Sequence, residues 1–177
     1  MPIIQAYHNF FPSIADSAFI ADNSTIIGEV EIGPESSIWF NAVIRGDAGA
    51  IKIGSRTNIQ DGVIIHATTD RCGVNIGDDV VVGHRAILHA CTIEDEVLIG
   101  MGAIVLDESI VPKHTIIAAG ALVPEGKALE SRYLYAGVPV KKIKPLGLQH
   151  IKMIRQGAIG YVEKGQWYKS NMIQNFD

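Results

Sequence analysis

Ile76-Gly77-Asp78-Asp79-Val80-Val81-Val82-Gly83-His84-Arg85-Ala86-Ile87-Leu88-His89 carries an aliphatic residue at every sixth position: Ile76, Val82 and Leu88. The step extends in both directions. Upstream it runs through Ile14, Ile20, Ile26, Ile32, Ile38 and Ile44, then, after a nine-residue step, through Ile53, Ile59 and Ile65, with eleven residues on to Ile76. Downstream, a five-residue step joins Leu88 to Ile93, Ile99, Val105, Val111, Ile117 and Val123. A strand alternates with period two and a helix with period 3.6, so neither yields a constant six. Six residues suit one short strand and a corner. No such unit buries its apolar residue alone, so neighbours must stack.

The breaks follow Ile44, Ile65 and Leu88, leaving blocks of six, three, three and six repeats. Each block is a multiple of three, which keeps the faces of a three-sided coil in register. A β-sandwich would not preserve that arithmetic. The segments resemble the hexapeptide repeat of the left-handed parallel β-helix, and handedness and triangular section are implied by that resemblance. The expected fold is an all-β solenoid, a left-handed parallel β-helix over residues 1–140. Residues 141–177 are expected to form a C-terminal α-helix and tail packed on the prism. Leu148, Ile151, Ile154, Ala158 and Tyr161 fall near helical spacing between about Leu146 and Lys164, and Trp167 to Asp177 reads as a loosely ordered tail.

A chain of 177 residues suits one well-buried domain. Its net charge of −4, without a Lys/Arg cluster, gives no basis for nucleic-acid binding. No apolar run approaches membrane-spanning length, and the first residues lack the pattern of a signal peptide. Two cysteines, Cys72 and Cys91, are too few for a disulfide scaffold, so a cytoplasmic protein with free thiols is expected.

With the register set, side chains can be compared between coils. The residue after each aliphatic of the third face forms the column Arg45, His66, His89, Leu106. His66 and His89 thus sit one coil apart, close enough to share a metal. Two positions after each aliphatic of the second face comes the column Phe40, Asp61, His84, Met101, which puts His84 across a corner. A neighbouring prism about a threefold axis could bring it to the other two. Three neutral imidazoles with an open fourth position suit a catalytic zinc. Isolated outward histidines would simply be solvated, but these cluster with Arg45, Asp47, Asn58, Gln60 and Asp61. His8, His114 and His150 lack such company and read as surface residues.

Arg45-Gly46-Asp47, Asn58-Ile59-Gln60-Asp61-Gly62, His66, Gly83-His84 and His89 resemble the signature of gamma-class carbonic anhydrases, in their short bacterial branch. The resemblance continues through Leu134-Tyr135-Ala136-Gly137-Val138-Pro139. It implies a homotrimer with metal sites at its interfaces, His66 and His89 coming from one subunit and His84 from the next. The metal is expected to be Zn2+, with Fe2+ or Co2+ as alternatives. The implied reaction is reversible hydration of carbon dioxide to bicarbonate by metal-bound hydroxide. The resemblance gives Gln60 a hydrogen bond to the reacting oxygen. It places Arg45 and Asp47 at the subunit contact with Asp61, with Arg45 near the anion. Asn58 is a supporting group or a corner residue, and Tyr161 reaches the site or packs the helix. Two departures bear on proton transfer: Ala48 stands where the family prototype has a glutamate, and Thr69–Asn75 is short where the prototype has a long acidic loop. Two other functions share the prism: a hexapeptide acyltransferase, which uses one histidine and no metal, and a non-catalytic metal-binding scaffold.

Overall fold

The computed structural model describes residues 1–69 and 72–171. The chain winds a left-handed parallel β-solenoid of about seven coils, followed by one helix. Stacking follows the six-residue arithmetic through every break. On the third face Ile44 pairs with Ile65, Ile65 with Leu88 and Leu88 with Val105. On the second face Ile38, Ile59, Val82, Ile99 and Ile117 stand in one row. On the first, Ile32, Ile53, Ile76, Ile93 and Val111 do the same. The inward aliphatics of all three faces form one continuous core, with Ile26, Ile38, Ile44, Ile59, Ile65 and Leu88 wholly shielded from solvent. Each full burial of this kind is worth about 1.5–3 kcal/mol before ordering costs.

Two long strands, Thr25–Ile32 and Val43–Ile53, run over a corner and join the first and third faces into one sheet. The second of them absorbs the nine-residue step. Gly28 and Gly46 cross there: a Cβ on Gly28, whose φ is +79°, would lie 2.4 Å from the Gly46 carbonyl oxygen. Only glycine permits that approach. Other corners are turned by residues with positive φ, among them Asn41, Arg56, Asp79, Arg85 and Glu96. Their strain is offset by bonds between coils, such as Arg56 N–H to the Pro34 carbonyl (2.9 Å) and Arg85 N–H to the Asp61 carbonyl (2.9 Å).

Beyond Val123, strand Tyr133–Ala136 extends the second face and pairs antiparallel with Lys141–Pro145. The helix α1, Leu148–Asn171, then folds back along this chain's own second face, against Phe19–Ile20, Ser37–Ile38, Asn58–Ile59 and Val81–Val82. It buries Ile151, Ile154, Ala158 and Gly165. The expected loose tail from Trp167 is corrected up to Asn171, which is helical; residues 172–177 lie outside the described residues. Packing explains the extension. Tyr168 meets Trp39 edge-on at 5.2 Å, and Gln166 Nε2 donates to the Ser17 carbonyl at 2.8 Å.

His114 is also corrected, from surface residue to buried one. Its Nε2 lies 2.8 Å from Glu96 Oε2, and the Arg155 guanidinium of α1 grips the same carboxylate at 2.8 and 2.9 Å. Arg155 holds Glu96 below the ordinary carboxylate range, and His114 adds to this against the effect of burial. A depressed carboxylate stabilises the fold fully above its unfolded pKa, near the ordinary 4.5, and the contribution is lost as pH falls through the folded value. Acidification below pH 4.5 is therefore expected to loosen α1 before the prism, with amide exchange rising first in Leu148–Asn171. In the prism, Ile59→Ala should cost about 2–5 kcal/mol in denaturant unfolding. A loss below about 1 kcal/mol would contradict a single core shared by the coils.

Candidate metal centre

His66 ends strand Ile64–His66 and His89 ends strand Ile87–His89, and the two are register partners on adjacent coils. Their rings stand 5.2 Å apart, with His66 Nδ1 3.2 Å from His89 Nε2. The remaining nitrogen of each ring is held by a carboxylate. His66 Nε2 meets Asp47 Oδ1 at 3.1 Å, and His89 Nδ1 meets Asp107 Oδ2 at 2.8 Å. With each N–H given to its aspartate, two bare lone pairs face one another. That is repulsive unless a cation lies between them. Two imidazoles bound tetrahedrally at 2.0–2.1 Å from zinc have nitrogens about 3.3 Å apart, so the observed separation fits a shared metal.

The surroundings of His66 favour its neutral form. Burial lowers the His66 pKa, and the nearby Arg45 cation lowers it further, against the pull of Asp47. Burial alone would raise Asp47, but hydrogen bonds from Arg45 and His66 prevail and hold it below the ordinary range. Arg45 Nη1 lies 2.5 Å from Asp47 Oδ2. Asp107 is likewise held down despite burial, by bonds from Thr68 and His89.

The other expected site residues fall on the second face and its corner. His84 Nδ1 lies 2.8 Å from Asp61 Oδ2, so it too has one nitrogen fixed by an aspartate. Gln60 and His84 border an apolar groove of about 370 Å³, with Gly83, Leu98, Met101 and Ala119. Gln60 Nε2 donates to Asn58 Oδ1 at 2.9 Å. Tyr161 of α1 packs edge-on to Trp39 at 5.6 Å; burial raises its phenol pKa, and the Asp61 charge adds to this. Among the described residues of one chain, no three His, Cys, Asp or Glu side chains form a group able to hold a metal ion. The chain thus brings together His66 and His89, Arg45 and Asp47, and Asp61 and His84, but not the three histidines.

Asp107 and Thr68 escape a reading of the sequence. Asp107 lies eighteen residues beyond His89, next to Leu106 of the histidine column, and that one-coil offset is the available signal. The short loop at Thr69–Asn75 includes positions 70 and 71, which lie outside the described residues. Cys72 and Cys91 are free thiols, and burial pushes Cys91 up to about 12.

Prism, paired imidazoles and carboxylate supports define a hexapeptide-repeat protein with two aspartate-held histidines side by side on one face. No protein-family model matches the chain. It is 45% identical over 168 residues to a protein named carbonic anhydrase from Geobacillus kaustophilus, covering 95% of this chain and 92% of that one. It is 40% identical over 171 residues to the mitochondrial gamma carbonic anhydrase 2 of Arabidopsis thaliana, covering 94% of this chain but 62% of that longer protein. Among solved structures it resembles a Bacillus cereus protein provisionally named an acetyltransferase, with TM-score 0.93, 46% identity and coverage of 96% and 98%. The chain belongs to the gamma carbonic anhydrase family.

Replacing Asp107 with Asn should leave the fold intact and weaken zinc affinity about 10–100-fold in chelator competition. Unchanged affinity would deny the carboxylate any part in orienting His89.

Proposed function

We propose that this protein is a carbonic anhydrase, hydrating carbon dioxide reversibly to bicarbonate at metal sites shared between the protomers of a homotrimer. His66 and His89 of one protomer and His84 of the next would hold the ion. The observation that carries this reading is the aspartate-held pair, His66 Nδ1 and His89 Nε2 facing each other at 3.2 Å. His84 is presented in the same manner on another face, where a second copy can bring it across.

The surfaces support that assembly. Beside the paired histidines, Val43, Ile64, Ile87, Ile104 and Leu122 form an outward aliphatic ladder, of which Ile64 and Ile87 are exposed. Near His84, Met101 is exposed at the groove edge. Apolar surface of this kind flanking a polar site is what a protomer contact would cover.

Zinc, ferrous iron or cobalt held in a three-nitrogen set would acidify a bound water strongly enough to make it a nucleophile at neutral pH. The chain's own groups do the rest. The apolar groove beside Gln60 admits carbon dioxide, Gln60 hydrogen-bonds the reacting oxygen, and Asn58 holds the Gln60 amide. Asp47, Asp61 and Asp107 orient the imidazoles. Arg45 places a positive charge where bicarbonate forms, and Arg45 and Asp47 meet Asp61 across the contact. Tyr161 borders this region through its proximity to Asp61. The free thiols support a cytoplasmic location.

Ala48 cannot carry a proton, so a dissolved buffer is expected to speed proton removal from the site. Stopped-flow hydration, run with zinc and anaerobically with iron, is expected to show turnover that rises with imidazole buffer concentration. About one metal per chain without turnover would favour the scaffold, and acyl transfer from an acyl-CoA without metal would favour the transferase. Complementation tests the shared site. His84→Ala and His66→Ala proteins should each be inactive yet folded. Unfolded and refolded together, they should regain roughly a quarter of the sites by random assortment. No recovery in verified mixed trimers would contradict ligands from two protomers.

A further inference from the structure

Behind Gln60 runs a buried hydrogen-bond chain that ends under α1. Asn58 Oδ1 accepts from Gln60 Nε2 at 2.9 Å, and Asn58 Nδ2 donates to Ser37 Oγ at 3.1 Å. Trp39 Nε1 donates to the same hydroxyl oxygen at 3.0 Å. All four side chains are buried, with exposures of 1–6%. Away from water, each polar group must be satisfied by the next, and the arrangement of one constrains the others.

The indole anchors the far end of the chain. An indole N–H can only donate, so it occupies one lone pair of Ser37 Oγ, and Asn58 Nδ2 takes the other. The Asn58 amide then presents Oδ1 to Gln60, and Gln60 turns Nε2 inward. Its Oε1, at the opposite side of the planar amide, is left facing away from Asn58. With the indole donor removed, the Ser37 hydroxyl loses its fixed partner, and the amides of Asn58 and Gln60 lose the anchored end that holds them in this arrangement. An outward Oε1 accepts from an O–H group; an outward Nε2 would donate to an anionic oxygen.

The helix holds the indole in place. Trp39 is wedged edge-on between Phe19 at 5.2 Å, Tyr161 at 5.6 Å and Tyr168 at 5.2 Å. Gly165 of α1 lies directly over Ser37: a Cβ there would come 3.3 Å from Ser37 Cβ and 3.1 Å from Phe19 Cβ. We propose that Trp39 and Ser37 are positioning residues that, under the cover of α1, hold the Gln60 amide still through Asn58, in the arrangement that leaves its carbonyl facing the reacting molecule. The inference rests on Gln60 meeting that molecule, as proposed above.

The test uses metal-loaded protein carrying Ser37→Ala, or Trp39→Phe, which keeps an aromatic ring but loses the donor. Each should retain its metal and lower kcat/KM about tenfold. In a Gln60→Ala background, Ser37→Ala should add less than about twofold, since the group it positions is gone. A readout independent of turnover is the Gln60 side-chain amide in 1H–15N spectra, assigned by its loss in Gln60→Ala. It should exchange slowly in the parent protein and quickly in both variants. Full persistence of the Ser37→Ala effect without Gln60, or an amide signal unchanged in both variants, would overturn the lock. If Gln60→Ala itself leaves kcat/KM intact, the catalytic use of Gln60 fails, while the amide signal still decides whether the lock exists.

Discussion

Parallel register between stacked coils is the constraint on which the rest depends. Each short strand bonds to the coil on either side, so a residue inserted within a face would turn the core side chains outward along the remaining stack. Insertions are tolerated only at corners. The long strand Val43–Ile53 shows the cost of one: it needs the crossed glycines Gly28 and Gly46 before Ile53 regains its place beside Ile32 and Ile76. Because register survives every break, outward residues also fall into columns, and columns bring distant residues into contact.

The candidate centre is a product of those columns. His66 and His89 are 23 residues apart yet 3.2 Å from nitrogen to nitrogen. Their order comes from aspartates on neighbouring coils, Asp47 and Asp107, which fix ring and tautomer together. His84 has the same kind of support from Asp61 but looks out from a different face. Under the proposed reading, a ligand set divided in this way would give assembly a chemical role, since a lone chain presents only part of it. The helix contributes from behind, where Trp39 and Gly165 press on the polar chain leading to Gln60.

Much of this is legible in the residues because a six-residue step is a strict rule. Ile76, Val82 and Leu88 set the register, and the pairing of His66 with His89 follows from counting. Side-chain partners beyond the column are harder to read. Asp107 belongs to the adjacent column, so a search along the histidine column alone passes it by. His114 reads as a surface group because its burial depends on Glu96 and on Arg155 of the returning helix. The full extent of α1 is hidden for the same reason: Trp167–Asn171 has no strong helical pattern, and its order comes from Phe19, Trp39 and the Ala18 carbonyl. In each case a local pattern is overruled by a contact remote in sequence.

Anomalous X-ray diffraction at the metal absorption edge, from crystals of the assembled protein, tests the account most directly. It should show one strong peak per chain at a protomer contact, within bonding distance of His66 and His89 of one copy and His84 of the next. A peak held by residues of a single chain, or none at that contact in protein shown to contain metal, would contradict it.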